Sequence, residues 1–428
     1  MTVVTAERIT TADQAVRIAT ELAEAFAAGA AERDHSRRLP HEELDQLSAS
    51  GLLAITVPAE FGGADLPPSV VADVVRILAA ADPNIAQVPH SHFVYLNLLR
   101  LAGTRTQQRD YFGKVLTGAR IANAQSERSG ATVAEIATVL RPVGAVGAQR
   151  FVVEGTKFYC TGSLFADVLA VLARLDDPQD ISGVSPGEYV AFVPALEPGV
   201  RIVDDWDALG QRTTGSGTVE FDAVEVGREQ LVSRASAVNA PTGYGAFAQL
   251  LHAAIDAGIA RGALAAAAEF VRTRSRPWFE AEVARAADDP LVVQRFGELA
   301  VAVAAAEATL IVAGAAVDAA IRPGADAAGK NPVADEAAQS TQARPDGDGA
   351  HASIAVATAK ILADRAANEV SAAIFEVGGT RSAAAEHRLD HFWRNARTHT
   401  LHDPVRWKYQ HIGRALLHNR PPPLHGVI

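Results

Sequence analysis

The segment Phe392-Trp393-Arg394-Asn395-Ala396-Arg397-Thr398-His399-Thr400-Leu401-His402-Asp403-Pro404 sets two imidazoles three residues apart. On a helix such a pair shares one face. Imidazole titrates close to working pH, which suits acid–base or hydrogen-bonding work in a pocket. His387 and His391, four apart, stand just upstream. Solvated or capping histidines are the plain alternative. No cysteine or clustered carboxylate lies around them at ligand spacing, so no metal is expected.

Three further segments carry reactive or binding groups. Glu154 to Gly162 offers the Tyr159 ring, the Thr161 hydroxyl and, at Gly162, room for a planar ligand, although an ordinary hairpin turn has the same composition. Trp206 precedes the Gly/Ser/Thr-rich loop Leu209 to Gly217, which either cradles a phosphate or simply turns. Arg272, Arg274 and Arg276 end a long helical stretch before Pro277-Trp278. They either cap the helix dipole, at about 0.3–1 kcal/mol each, or clamp an anion in a guanidinium fork.

The elements that must position these groups change character twice along the chain. Up to about Gly118 the pattern is helical: Ala12 to Arg33, a helix opened by Leu39-Pro40, then Pro67 to Ala81, Ile85 to Leu101 and Thr106 to Leu116. Between Ala119 and Arg228 short apolar runs punctuated by Gly, Pro and Asp predict strands at 151–153, 168–172, 189–193 and 219–226. From Gly243 on, four Ala- and Leu-rich helices are expected: Gly243 to Arg274, Pro290 to Ile321, Ala352 to Phe375 and Ala384 to Leu417. A loop at 323–349 interrupts them. The expected class is α+β with an N-terminal helical domain (1–118), a central β-barrel domain (119–228) and a C-terminal four-helix bundle (229–428).

Composition narrows the partners. The chain has 428 residues, enough for two or three domains at about 150 residues each. Its 39 Lys and Arg against 50 Asp and Glu give a charge of −11, which argues against nucleic acid. The single cysteine, Cys160, permits no internal bridge and indicates no oxidising compartment. The longest apolar run, Ala308 to Val317, falls well short of the roughly 20 residues of a spanning helix. No membrane partner and a cytoplasmic location are therefore expected.

Together, the order and spacing of these segments resemble the acyl-CoA dehydrogenase fold over nearly the whole chain. Ala122 to Glu127, Gly155 to Asp167 and Leu209 to Val226 stand where that family has its three flavin-contacting loops. Within the fold the chain resembles the flavin-dependent monooxygenases, above all the dibenzothiophene monooxygenases and sulfur-acquisition oxidoreductases. The matching residues are 392–395 with 398–404, Arg276-Pro277-Trp278, and Phe375 to Ser382. The dehydrogenases instead carry a Glu-Gly-Thr near Asp403-Pro404-Val405, its Glu serving as base. Asp403 is shorter and precedes a stiff proline, which makes dehydrogenation the weaker reading.

The resemblance implies a two-component monooxygenase. Reduced FMN, expected ahead of FAD, would arrive from an NAD(P)H-dependent flavin reductase and react with O₂ to a flavin hydroperoxide. A small organosulfur compound (sulfide, sulfoxide or sulfone) would then take the oxygen. Amine N-hydroxylation and acyl-CoA dehydrogenation or oxidation are the alternatives. His402, His399 and His92 are the implied catalytic residues. Asn123, Tyr159, Thr161, Trp206, Arg276, Arg381, Ser382 and Asn395 are implied to bind the flavin, with at least one phosphate ligand supplied by a neighbouring subunit of a homotetramer. Gln87 and Ser91, which replace a His and a Tyr of the dibenzothiophene monooxygenases, point to a smaller or more polar substrate.

Overall fold

The computed structural model describes residues 8–321, apart from 129, 131 and 133, and residues 347–425. The loop expected at 323–349 therefore lies outside the described residues, except for its last three positions. Six helices come first: α1 (Ala12–Ala27), α2 (Ala30–Ser36), α3 (His41–Ala49), α4 (Pro68–Ala81), α5 (Pro83–Ala102) and α6 (Arg105–Leu116). The single helix expected from Ala12 to Arg33 is two. The chain breaks at Ala28-Gly29, and a side chain at Gly29 would meet the Arg33 guanidinium at 2.5 Å. That guanidinium is buried and paired with Asp82 at 2.9 Å and Glu43 at 3.0 Å. It ties the short second helix to the start of α5, where Asp82 also caps the Asn84 amide.

Eight strands follow: β1 (Ile121–Ala124), β2 (Val139–Val143), β3 (Arg150–Lys157), β4 (Val168–Leu175), β5 (Glu188–Pro194), β6 (Val200–Val203), β7 (Thr218–Gly227) and β8 (Leu231–Ser233). They form one mixed sheet in the order β6-β7-β3-β2-β4-β5-β8, with β1 parallel to β4. β4 explains the sheet's place in the fold. Its run Val-Leu-Ala-Val-Leu-Ala-Arg-Leu has apolar residues on both faces. Val168, Ala170 and Leu172 join the core shared with the helices, while Leu169, Val171, Ala173 and Leu175 fill a second core enclosed by the sheet. A strand covered on both sides reads as a continuous apolar run, not as an alternation.

After α7 (Arg234–Val238) come α8 (Tyr244–Thr273), α9 (Pro290–Ile321), α10 (Asp348–Gly378), α11 (Asp390–His399) and α12 (Arg406–His418). The fourth long helix expected over 384–417 is thus broken between α11 and α12. Pro404 lies in the gap and cannot continue an i→i−4 ladder. α8 packs against α10, α9 and α4. It approaches α4 closely because Gly258 and Gly262 face backbone: added Cβ atoms would sit 2.5 Å from the Arg76 carbonyl oxygen and 2.2 Å from that of Ala80.

α8 and α9 are both long and apolar enough to cross a membrane by length and composition, which the short uninterrupted run at Ala308 to Val317 did not suggest. In α8, 78% of that stretch is buried inside the bundle, against 39% in α9. The outer face of α9 presents Leu291, Val293, Val301, Ile311 and Val312.

A methyl group at Gly262 has nowhere to go but against the α4 backbone. Gly262→Ala is expected to lose about 1–3 kcal/mol through overpacking, read as a lower denaturant midpoint. Gly297→Ala, at an open position, gives the control.

Candidate active site

Three elements converge on α11. The β6–β7 loop reaches it through Gly210, where a Cβ would lie 1.9 Å from the Arg394 carbonyl oxygen, so only glycine permits the approach. The Gln211 amide donates to Asn395 Oδ1 at 2.6 Å. Asn84 of α5 closes the joint, its Oδ1 accepting from the Thr213 amide at 3.2 Å. Arg394 secures the same end of α11 through Asp34, Asp390 and the Leu209 carbonyl. Asn395, expected at the flavin, is fully buried and sits inside this three-way joint.

Beside the joint lies an open aromatic face. Trp206 donates from Nε1 to the Gln211 carbonyl at 2.7 Å, and its ring meets Tyr159 edge-on at 5.9 Å. Tyr159 is 52% exposed and has φ +58°, an uncommon conformation for a non-glycine residue. Asn123 holds it by donating to the Tyr159 carbonyl at 3.1 Å, while Tyr95 of α5 donates to Asn123 Oδ1 at 3.2 Å. Thr161, Ser216 and Thr214 form a chain of hydroxyls at 2.8 and 2.6 Å. A flat heteroaromatic with a polar edge fits here: two half-exposed rings give it a surface, and amide and hydroxyl groups border it.

The histidines gather on the bundle side. His252 of α8 lies between His90 of α5 and His402, with both ring centroids 3.9 Å away. Its Nδ1 is 3.1 Å from His399 Nε2. His399 Nδ1 is 2.5 Å from Asp256 Oδ1, and Lys360 Nζ is 2.5 Å from Asp256 Oδ2. Burial pushes the His90 imidazole down to about 3 and keeps His252 well below its usual value, an effect to which the neighbouring histidines add. Burial also lowers His399, against the pull of Asp256. His252 stacks on His90 and lies tilted against His402, and no metal-holding group of three or more His, Cys, Asp or Glu occurs among the described residues.

The remaining expected residues fall in three places. His92 is buried with Nε2 donating to the Leu53 carbonyl (2.9 Å) and Nδ1 accepting from the Ile121 amide (3.1 Å). Both nitrogens are committed to backbone, so the ring pins β1 to α5 and has none left for a substrate. Gln87 and Ser91 occupy the α5 face that leads to Tyr95, at i, i+4 and i+8. Gln87 Oε1 is buried without a hydrogen-bond partner, as are both amide atoms of Gln249, one turn before His252.

Arg276, Arg381 and Ser382 stand at the far ends of α8 and α10. Arg381 donates to the Arg274 carbonyl and Ser382 Oγ to that of Gly379. No described contact joins them to Tyr159 or His402.

Asp256, His252 and Lys360 escaped the sequence reading. A signal for two of them exists: Gln249, His252 and Asp256 are spaced i, i+3 and i+7 in an otherwise apolar stretch of α8.

The three-layer arrangement of helical, sheet and bundle domains with an aromatic-lined joint defines a class. Residues 9–119, 123–224 and 250–407 match the N-terminal, middle and C-terminal domains of acyl-CoA dehydrogenase, and the chain belongs to that family. Within it the chain falls in the flavin-dependent monooxygenase branch. A dibenzothiophene monooxygenase of Rhodococcus qingshengii is 32% identical over 95% of this chain and 94% of its own. FMN-bound TdsC of Paenibacillus sp. A11-2 superposes with a TM-score of 0.85 at 30% identity, covering 97% of this chain and 100% of that one. The methanesulfinate monooxygenase MsuC of Pseudomonas fluorescens gives 0.84 at 29% identity, with 96% and 99% covered.

One buried ion pair stabilises the loop that follows β1. Lys157 Nζ lies 2.7 Å from Glu127 Oε1 and 3.0 Å from the Gln125 carbonyl. Burial pushes the Glu127 carboxyl up, but Lys157 and the Thr138 and Ala137 amides outweigh it and hold it at about 2. Stability from this pair is therefore present above the ordinary value of 4.5 and lost as pH falls towards 2. Glu127→Gln should cost about 3–5 kcal/mol near neutrality by stranding Lys157. In denaturant titrations the gap to the wild type should close as pH drops through that window.

Proposed function

We propose that this protein is a reduced-FMN-dependent monooxygenase that oxygenates a small, polar organosulfur compound. The observation that carries the choice within the family is the state of Asp403. Burial pushes its carboxyl up, yet His402, Lys360 and Lys408 outweigh it and hold it well below the usual carboxylate range. Lys408 Nζ is 2.9 Å away. A carboxylate so stabilised is a weak base for removing a substrate α-proton. The position that would serve dehydrogenation is tied up, and imidazoles occupy the space next to it.

Bound reduced FMN would supply the two electrons that activate dioxygen, one of whose oxygen atoms would pass to sulfur while the other would leave as water. Tyr159 and Trp206 offer the ring its stacking surface, with Asn123 and Thr161 at its polar edge. His402, the least buried of the four clustered histidines, holds the proton that leaves with the second oxygen, with the His252 ring 3.9 Å away. The closed joint at Asn395, Gln211 and Asn84 keeps water from that side. TdsC was solved with FMN, which supports the cofactor, and MsuC acts on methanesulfinate, which supports a small oxidised sulfur substrate. Gln249, with its unpartnered Nε2 donor, suits a substrate bearing sulfur-bound oxygens. An NAD(P)H-dependent flavin reductase supplies the reduced cofactor.

The phosphate clamp implies a second subunit. From His252 to the end of α8 at Thr273 is about 32 Å at 1.5 Å per residue, far beyond the ring-to-phosphate reach of FMN. Arg276, Arg381 and Ser382 accordingly serve a flavin bound mainly by a neighbouring chain. The exposed apolar face of α9 provides the contact surface for a homotetramer.

His402→Ala is expected to bind FMN normally but to release H₂O₂ in place of product, with coupled turnover down about 10²–10⁴-fold. Parallel assays of peroxide and oxygenated product check it, and full coupling would remove His402 from this role. Competition between methanesulfinate or dimethyl sulfone and dibenzothiophene tests the pocket: the small compounds should give the higher kcat/KM.

A further inference from the structure

The bundle contains a hydrogen-bonded row that joins His399 of α11 to residues of α8 and α10. Lys360, Asp256, His399 and His252 follow one another at 2.5, 2.5 and 3.1 Å. The ends of the row differ. Lys360 and Asp256 have completely buried side chains, whereas His252 has its ring against His402, whose side chain is 40% exposed. Two neighbouring carboxylates complete the charged surroundings. Asp403 pairs with Lys408, and Asp364 is pushed up to about 6 by burial and by Asp256.

Proton positions along the row are determined by donor and acceptor arithmetic. Asp256 faces an ammonium on one oxygen, so it is an acceptor on the other. His399 Nδ1 must then carry a hydrogen, which leaves Nε2 with a lone pair because burial keeps this ring neutral. His252 Nδ1 must in turn carry the hydrogen donated to that lone pair. Its Nε2 is left bare, with no hydrogen-bond partner among the described residues. This is the logic by which a buried carboxylate selects the tautomer of a catalytic imidazole, extended here through two rings.

We propose that Lys360, Asp256 and His399 act as a positioning relay that sets the tautomer of His252 and holds it, uncharged, against His402. An uncharged ring on that face lets His402 carry a proton without a second cation 3.9 Å away. Asp256 and His252 are thus positioning residues for the oxygenation reaction. The inference rests on the proton-holding role of His402 given above.

Asp256→Asn is the informative change because it preserves shape and inverts polarity. Lys360 will draw the Asn carbonyl oxygen, turning the amide NH₂ towards His399. His399 must then accept at Nδ1 and donate from Nε2, and His252 must follow. Solid-state ¹⁵N NMR of histidine-labelled protein without flavin reads both tautomers, with the 13 histidines sorted by comparison with His252→Phe and His399→Gln. Expected are two neutral Nδ1–H imidazoles in the wild type and two Nε2–H imidazoles in Asp256→Asn. Coupled turnover with reduced FMN should fall at least about tenfold.

A doubly protonated His399 in the wild type, or unchanged tautomers in Asp256→Asn, would overturn the relay. If Asp256→Asn does not fold, His252→Phe decides, since it keeps a ring between His90 and His402 but no nitrogen. A tenfold loss of coupling supports the relay, and unchanged coupling refutes it. His402→Ala separates the two ideas. If His402→Ala stays coupled, the function assigned to His402 falls and takes the relay's purpose with it. If it uncouples while Asp256→Asn does not, the relay alone is wrong.

Discussion

Lys360 and Asp256 meet 2.5 Å apart in the middle of the bundle, with neither side chain reaching solvent. Two charges placed there are costly unless each is fully compensated. That requirement constrains three helices at once. α8 must present Asp256 to α10, α10 must present Lys360 in return, and α11 must bring His399 to the second carboxylate oxygen. Replacing the pair with well-packed apolar residues could leave the bundle as stable or more so. Its retention makes sense as a way to specify one arrangement of these helices and one proton pattern at their meeting point.

The β domain meets that arrangement through an equally specific contact. Gly210 allows the β6–β7 loop to touch the α11 backbone, and Asn395 and Asn84 bind the buried backbone amides of Gln211 and Thr213. Trp206 hangs from the same loop by its bond to the Gln211 carbonyl. The aromatic face and the imidazoles are therefore referenced to one joint. A change in the packing of α11 moves both, which is how two domains with separate cores can share a site that needs fixed geometry.

Much of the fold is readable from the residues because its elements are long or strongly patterned. Pro290 to Ile321 is a helix over that span, and the β4 and β5 runs are strands. The short strands β1, β2, β6 and β8 are not, since three to five residues carry too little periodicity. The broken helix at Pro404 was hidden by good helix formers on either side. His399 and His402 stand out by spacing, and Tyr159 and Trp206 by their loops. Asp256 and Lys360 do not, because a lone acid and a lone base in separate apolar helices look like surface positions until tertiary packing pairs them. His92 shows the reverse: a histidine that looks reactive has both nitrogens held by backbone.

The length of α8 separates the histidine cluster from the arginines at the far end of the bundle. It carries His252 in its first third and ends at Thr273, just before Arg274, to whose carbonyl Arg381 bonds. A rigid helix keeps these two ends about 30 Å apart, so one chain cannot present both to one mononucleotide. On the reading proposed above, the end bearing Arg276 and Arg381 serves an aromatic face brought by another subunit. The outer stripe of α9 with Val301, Ile311 and Val312 offers such a contact exposed apolar surface, while Glu307 of the same helix is engaged by Arg76 and Arg261. Under that proposal oligomerisation is part of building the flavin site, because the residues proposed as a phosphate clamp stand about 30 Å from the histidines of their own chain.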